Sequence, residues 1–195
     1  ELFRWREAEQ WSASSQWGGS PGVVDPAANP SSLRVSEVMF NPGDPDAGEI
    51  AAGFDNNDDF EFIELVNTGE SPLDISGYIL TGGIDIVLGN YLLAPGEKVV
   101  VVKDEEAFMK RYANAATVVG EYDGNLKNDS EELLLLDPLG ATVLAFTYDD
   151  AWHESTDGGG HSLTIIDDHH HPVYWGDEEG WRPSGQPGGC PGVAA

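Results

Sequence analysis

The strongest constraint on this chain is a succession of short β-type runs cut apart by turn residues, from Leu33 to Asp167. They read LRVSEVMF (33–40), FEFIELVN (60–67), LDISGYIL (73–80), IDIVL (84–88), KVVVV (98–102), TVVGEY (117–122), ELLLLD (132–137), ATVLAFTY (141–148) and HSLTIID (161–167). The separators TGESP, TGG and PLG carry turn chemistry, and Pro95-Gly96 suits a type II turn. After its lysine KVVVV is apolar and short, as a fully buried strand would be. One segment reads as a helix instead, DEEAFMKRY (104–112). Asp104 can cap it, its acids and bases fall at the matching ends of the dipole, and Phe108 and Tyr112 share a face. Eight or nine strands on hairpin-length links with one helix predict an all-β, antiparallel sandwich.

Residues 1–32 have a different texture, rich in Trp, Gly, Pro and Ser with weak periodicity. They read as an extended arm, ahead of a domain spanning 33–195. The arm resembles the other end of the chain. WSASSQWGGSPGV (11–23) and WRPSGQPGGCPGV (181–193) align at an offset of 170, with Trp5 meeting Trp175 and Glu9 meeting Glu179 upstream. Trp5, Trp11, Trp17 and Pro21 are therefore candidate assembly residues, and Trp175, Trp181 and Pro191 are their counterparts or neighbours in the tail. Tryptophans on an arm suit docking, because each buries a large area once it finds a pocket.

Thirty-five Asp and Glu stand against nine Lys and Arg, a formal charge of −26. A field of that sign repels phosphates and argues against nucleic acid and anionic lipid as partners. No apolar run approaches the roughly 18 residues of a membrane span, so membrane insertion is not expected. The single Cys190 gives no internal disulfide framework. The start ELFRWREAEQ has neither initiator Met nor a signal-peptide pattern, and reads as the edge of a mature or excised piece.

Between Arg34 and Lys98 lie thirteen acidic residues and no basic one. Six of them, Asp44, Asp46, Glu49, Asp55, Asp58 and Asp59, fall in the long segment 41–59. Calcium takes six to eight oxygens in irregular geometry, so these six are candidate Ca²⁺ ligands. The spacing is not that of an EF-hand, and a solvated acidic loop remains the plainer reading. In DDHHH (167–171), His169 and His171 point the same way in an extended chain and are candidates to share a metal, with a solvated linker as the alternative. GGGHSL (158–163) lacks the last glycine of a nucleophile elbow. Glu61 and Glu64, three apart on a strand, project to opposite faces and cannot pair for glycoside hydrolysis. Asn128-Asp129-Ser130 matches a glycosylation sequon.

Taken in order, VSEVMFNP, FEFIELVNTGESPLDISGYIL, LAPGEKVVVV, GNLKNDSEELLLLDPLGATV, DGGGHSLTIID and the W-x-x-S…GG-x-PG ending resemble the lamin tail domain in its bacterial form, over about 33–193. The resemblance implies an immunoglobulin-like β-sandwich without catalytic residues, used as an adhesion, assembly or accessory module of secreted and surface proteins. Nothing in the chain supplies coiled-coil heptads, so a nuclear role is not implied. On this reading residues 5–23 are a second tail. Either they belong to a preceding repeat of a tandem array, or they dock on a neighbouring subunit. The leading expectation is a non-enzymatic module of an extracellular or bacterial cell-surface assembly, linked head to tail through the arm to copies of itself or to adjacent repeats. The alternative is an accessory module binding carbohydrate or protein, with Ca²⁺ as a candidate cofactor.

Overall fold

A computed structural model describes residues 31–193 of the chain, which divides into two units, Glu1–Ser31 and Ser32–Ala195. The arm residues Trp5, Trp11, Trp17 and Pro21 lie outside the described residues. The second unit is mostly β, with several sheets and two helices, consistent with an immunoglobulin-like sandwich.

The strands are β1 (Leu33–Met39), β2 (Phe62–Asn67), β3 (Leu73–Asp74), β4 (Ile79–Thr81), β5 (Ile84–Val87), β6 (Leu92–Leu93), β7 (Lys98–Val102), β8 (Thr117–Glu121), β9 (Asp123–Gly124), β10 (Ser130–Leu136), β11 (Thr142–Asp149), β12 (Leu163–Ile165) and β13 (Trp181–Pro183). A six-stranded sheet runs β13-β12-β1-β2-β7-β8, a five-stranded one β11-β10-β4-β5-β9, and β3 pairs with β6. Eight of the nine expected runs form one strand each, LDISGYIL is broken by a turn into β3 and β4 of different sheets, and β6, β9 and β13 are additional short strands. Alternation decides the faces. Val35 and Val38 of β1, Ile63 and Leu65 of β2, and Val99 and Val101 of β7 point inward to Leu80, Leu133, Leu135, Leu144 and Phe146 of the opposing sheet. A register shift between Val35 and Glu37 in the β1–β2 ladder lets both Val35 and Val38 face the core.

The opposite face of β2 and β7 is buried as well. Met39, Phe62, Val100 and Val102 form a second cluster under Phe108 of helix α2 (Glu105–Tyr112). Phe62 packs edge-on against both Phe108 and Tyr112, with ring centroids 5.7 and 5.5 Å away. The Asp104 side chain accepts from the Ala107 amide at 2.8 Å, the cap expected from sequence. Asp104→Ala is expected to lower stability by about 1 kcal/mol, the usual worth of an N-cap. A shift of the urea midpoint at unchanged slope would show it, and an unmoved midpoint would mean that packing alone holds the helix.

Two expectations need correction. The sheet is not wholly antiparallel, because β7 and β8 run parallel. Helix α2 makes the crossover that a parallel pair requires. Nor is segment 41–59 a plain loop. It contains helix α1 (Ala47–Ala52), closed by a capping box in which Asp46 accepts from the Glu49 amide and Glu49 accepts from the Asp46 amide.

Candidate functional site

Beyond β12 the chain returns as β13, pairing Leu163 with Pro183, Thr164 with Arg182 and Ile165 with Trp181. Two tryptophans fix this return. Trp175 is fully buried and donates from its indole to the Val35 carbonyl at 2.8 Å. Trp181 donates to the Trp175 carbonyl at 2.8 Å and stacks on Phe146 with centroids 5.5 Å apart. Buried indole N–H groups need such acceptors, and here both find backbone oxygens. Ser184 then knots the turn: its amide donates to the Ser162 carbonyl, and its hydroxyl to the Gln186 carbonyl.

From Gly188 the tail crosses the outer face of the six-stranded sheet. Glu37 and Glu64 stand on that face, both fully buried. Glu37 Oε1 accepts from the Cys190 amide at 2.8 Å and from the Ser162 hydroxyl, while Oε2 accepts from the Cys190 thiol at 3.3 Å. Glu64 Oε2 accepts from the Gly192 amide at 2.6 Å, and Oε1 from Ser36 Oγ at 2.7 Å and from Lys98 Nζ at 2.8 Å. Lys98 also donates to the Val193 carbonyl at 2.9 Å. The two carboxylates thus form a cradle for the backbone of residues 190–192. Glu64 is both paired with Lys98 and hydrogen-bonded, as a buried charge requires, whereas Glu37 is hydrogen-bonded but has no ion-pair partner among the described residues. Burial nevertheless pushes the Glu37 carboxyl above its ordinary range, against the bonds from Ser162 and Cys190. The same burial, with Glu37 alongside, pushes the Cys190 thiol up to about 11, which keeps it a donor.

Two glycines let the tail lie this close. Gly189 has φ +76°, and a Cβ there would sit 2.4 Å from Glu37 Oε1. Gly192 has φ +80°, and a Cβ there would sit 2.2 Å from the Ala115 carbonyl oxygen. Both positions exclude a side chain twice over, by backbone conformation and by space.

The other candidates are placed as follows. Glu49 forms a two-pronged ion pair with Arg111, each bond 2.8 Å, and Arg111 lies over the Phe60 ring at 3.4 Å. Those guanidinium bonds pull the Glu49 carboxyl below its ordinary range. Asp46 caps α1, so Asp46, Glu49 and Asp58 among the six candidate calcium ligands each accept hydrogen bonds from protein groups. Asp58 accepts from the Asn125 amide group at 3.2 Å, and the Asp59 carboxyl is raised by burial and by Asp104, Asp55 and Asp58 nearby. Among the described residues, the cluster that offers three metal-ligand atoms within 4.8 Å of one another is instead Asp167, Asp168 and His169. His171 does not share it, as its ring accepts from the Val173 amide, and His170 stacks on Tyr174. Glu61 and Glu64 face opposite ways, as their spacing requires: Glu61 accepts from Tyr122 and the Leu126 amide, and Glu64 from the tail. Ser162 is bound to Glu37, and His161 Nδ1 donates to the Ser184 carbonyl.

The tail residues Trp175, Trp181 and Pro191 singled out in the sequence are all buried. The sequence did not point to Glu37, Glu64 and Lys98 as partners of the tail. The available signal was a carboxylate inside each of two apolar runs, VSEVMF and FIELV, since a buried acid needs a partner from elsewhere.

No curated protein matches the chain. The model of the Lamin Tail Domain, a non-catalytic family, matches residues 26–150. That span holds the cradle residues Glu37, Glu64 and Lys98, and β12 and β13 lie beyond it. With well over half of its length matched, the chain belongs to the lamin tail domain family.

Proposed function

We propose that this chain is a non-enzymatic structural module of an extracellular or bacterial cell-surface assembly, joined head to tail to modules of its own kind through residues 1–32. One observation carries the reading. The tail residues buried on the domain, Trp181, Ser184, Gly189 and Pro191, recur in the arm as Trp11, Ser14, Gly19 and Pro21, which supports two segments of one docking type. The cradle binds its occupant mainly through backbone amides, and β13 adds a strand at the edge of a sheet. Strand addition of this kind supplies affinity from main-chain bonds and specificity from a few pockets. A link that uses different surfaces on the two partners propagates, giving an open chain of modules unless rotation closes it into a ring.

Light scattering on the full chain and on a chain starting at Asn29 tests this reading. The full chain is expected to exceed monomer mass in a concentration-dependent way, and the shortened chain to be monomeric. Two monomers of equal stability would overturn the reading and favour an accessory binding module.

A further inference from the structure

The tail and the arm do not match at random positions. Between residues 181 and 193 the buried positions are Trp181, Ser184, Gly189 and Pro191. Their counterparts at the offset of 170 are Trp11, Ser14, Gly19 and Pro21, identical in every case. The differing positions are Arg182, Pro183, Gly185, Pro187 and Cys190, and none of these is buried. Similarity of composition alone would not sort identity by burial.

The chemistry of the differing positions agrees. Arg182 and Pro183 contribute the backbone of β13, which Ser12 and Ala13 supply equally well. Cys190 gives Glu37 one amide and one thiol donor, and Ser20 offers an amide and a hydroxyl at the same place. Gly192, whose amide binds Glu64 and whose Cβ has no room, is matched by Gly22. Upstream the copies diverge. Gln10 stands against Gly180, where a Cβ would lie 2.1 Å from the Tyr174 carbonyl oxygen, so the match that matters begins at Trp11.

We propose that residues 11–23 are a second tail whose seat is the Glu37–Glu64 cradle of another copy of this domain, entered in place of that copy's own tail. The proposal rests on the head-to-tail reading above and names the surface that makes the link. Trp11 takes the place of Trp181 against Phe146, Ser14 that of Ser184, and the Ser20 and Gly22 amides bind Glu37 and Glu64. Entry is an exchange, since each chain's cradle holds residues 188–193 of the same chain. The resident tail has the advantage of being tethered, at an effective concentration on the order of millimolar. Exchange therefore grows with protein concentration and with any weakening of the resident tail.

A disulfide trap reads the seat directly. Thr164 Oγ1 lies 3.9 Å from Cys190 Sγ, so the two side chains face each other and a cysteine at position 164 would stand beside the Cys190 thiol. The single variant T164C, which retains Cys190, is expected to close within one chain and so calibrates the geometry. In S20C/T164C/C190S, an arm seated in a neighbour's cradle brings the thiol introduced at position 20 beside the one introduced at position 164. Glutathione redox buffer then gives covalent dimers and higher ladders on non-reducing gels. Adding G192A, which crowds the resident tail and leaves Gly22 intact, is expected to raise the linked fraction several-fold. Arm-dependent assembly by light scattering without a disulfide between positions 20 and 164 would overturn this seat and leave the head-to-tail reading standing. The same disulfide closed within a monomer would overturn the second copy as partner. Loss of arm-dependent assembly in the unmodified chain would instead remove the head-to-tail reading itself.

Discussion

Glu64→Ala is expected to lower the unfolding free energy by about 3–5 kcal/mol, the usual result of removing one partner from a buried ion pair. The size follows from what the substitution strands. Lys98, its side chain only 12% exposed, loses its counter-charge. The Gly192 amide loses its acceptor beneath the tail, and Ser36 Oγ keeps only a 3.4 Å contact to the Glu64 carbonyl. Leaving buried donors unmade costs more than the bonds contribute when present. The double variant E64L/K98M should recover part of the loss by removing both charges, though not the Gly192 bond. Urea unfolding followed by far-UV circular dichroism measures both. Amide exchange at Gly192 should quicken in the single and the double variant alike. A loss below about 1 kcal/mol for E64A would mean that Glu64 is no anchor for the tail, and the cradle would reduce to Glu37.

Strands β10 and β11 were legible because each buries one face and alternation records that directly, and β2 and β7 because they are short apolar runs buried on both. Helix α2 was legible through Asp104 and through the charges at its two ends. Helix α1 was not. Six residues are too few to show a period, and its capping box Asp46-x-x-Glu49 supplies the same carboxylates that a cation site would. The direction of β8 is a tertiary fact: TVVGEY reads alike whichever way it pairs. KVVVV announced burial on both faces, yet nothing within it says that α2 covers part of the outer face and a glycine-rich tail another. The repeat of the ending was legible as pattern. Its meaning needed Glu37 and Glu64, which meet the tail only in the folded chain, 153 and 128 residues away in sequence.

Glu61→Gln is expected to change how stability depends on pH, by on the order of 4 kcal/mol between pH 5 and pH 8. Glu61 is fully buried just ahead of β2. Its Oε2 accepts from the Tyr122 hydroxyl and the Leu126 amide, both at 3.0 Å, and its Oε1 has no hydrogen-bond partner among the described residues. Burial pushes the carboxyl up to about 8, against the Leu126 and Tyr122 bonds; Asp58 nearby adds to the rise and Lys103 opposes it. The unfolded chain releases this proton near 4.5, so between 4.5 and 8 the native state binds more protons than the unfolded one. Stability from this group is therefore complete below about pH 4.5 and lost as pH rises toward 8. Glutamine keeps the shape and an oxygen acceptor without a titrating proton. The two proteins should unfold at similar urea concentrations at pH 5, and the variant should be the more stable at pH 8. The raised Glu37 carboxyl tilts both curves in the same direction and cancels in the difference. A difference that stays constant across this range would show that Glu61 is ionised throughout, stabilised by a group other than Tyr122 and Leu126.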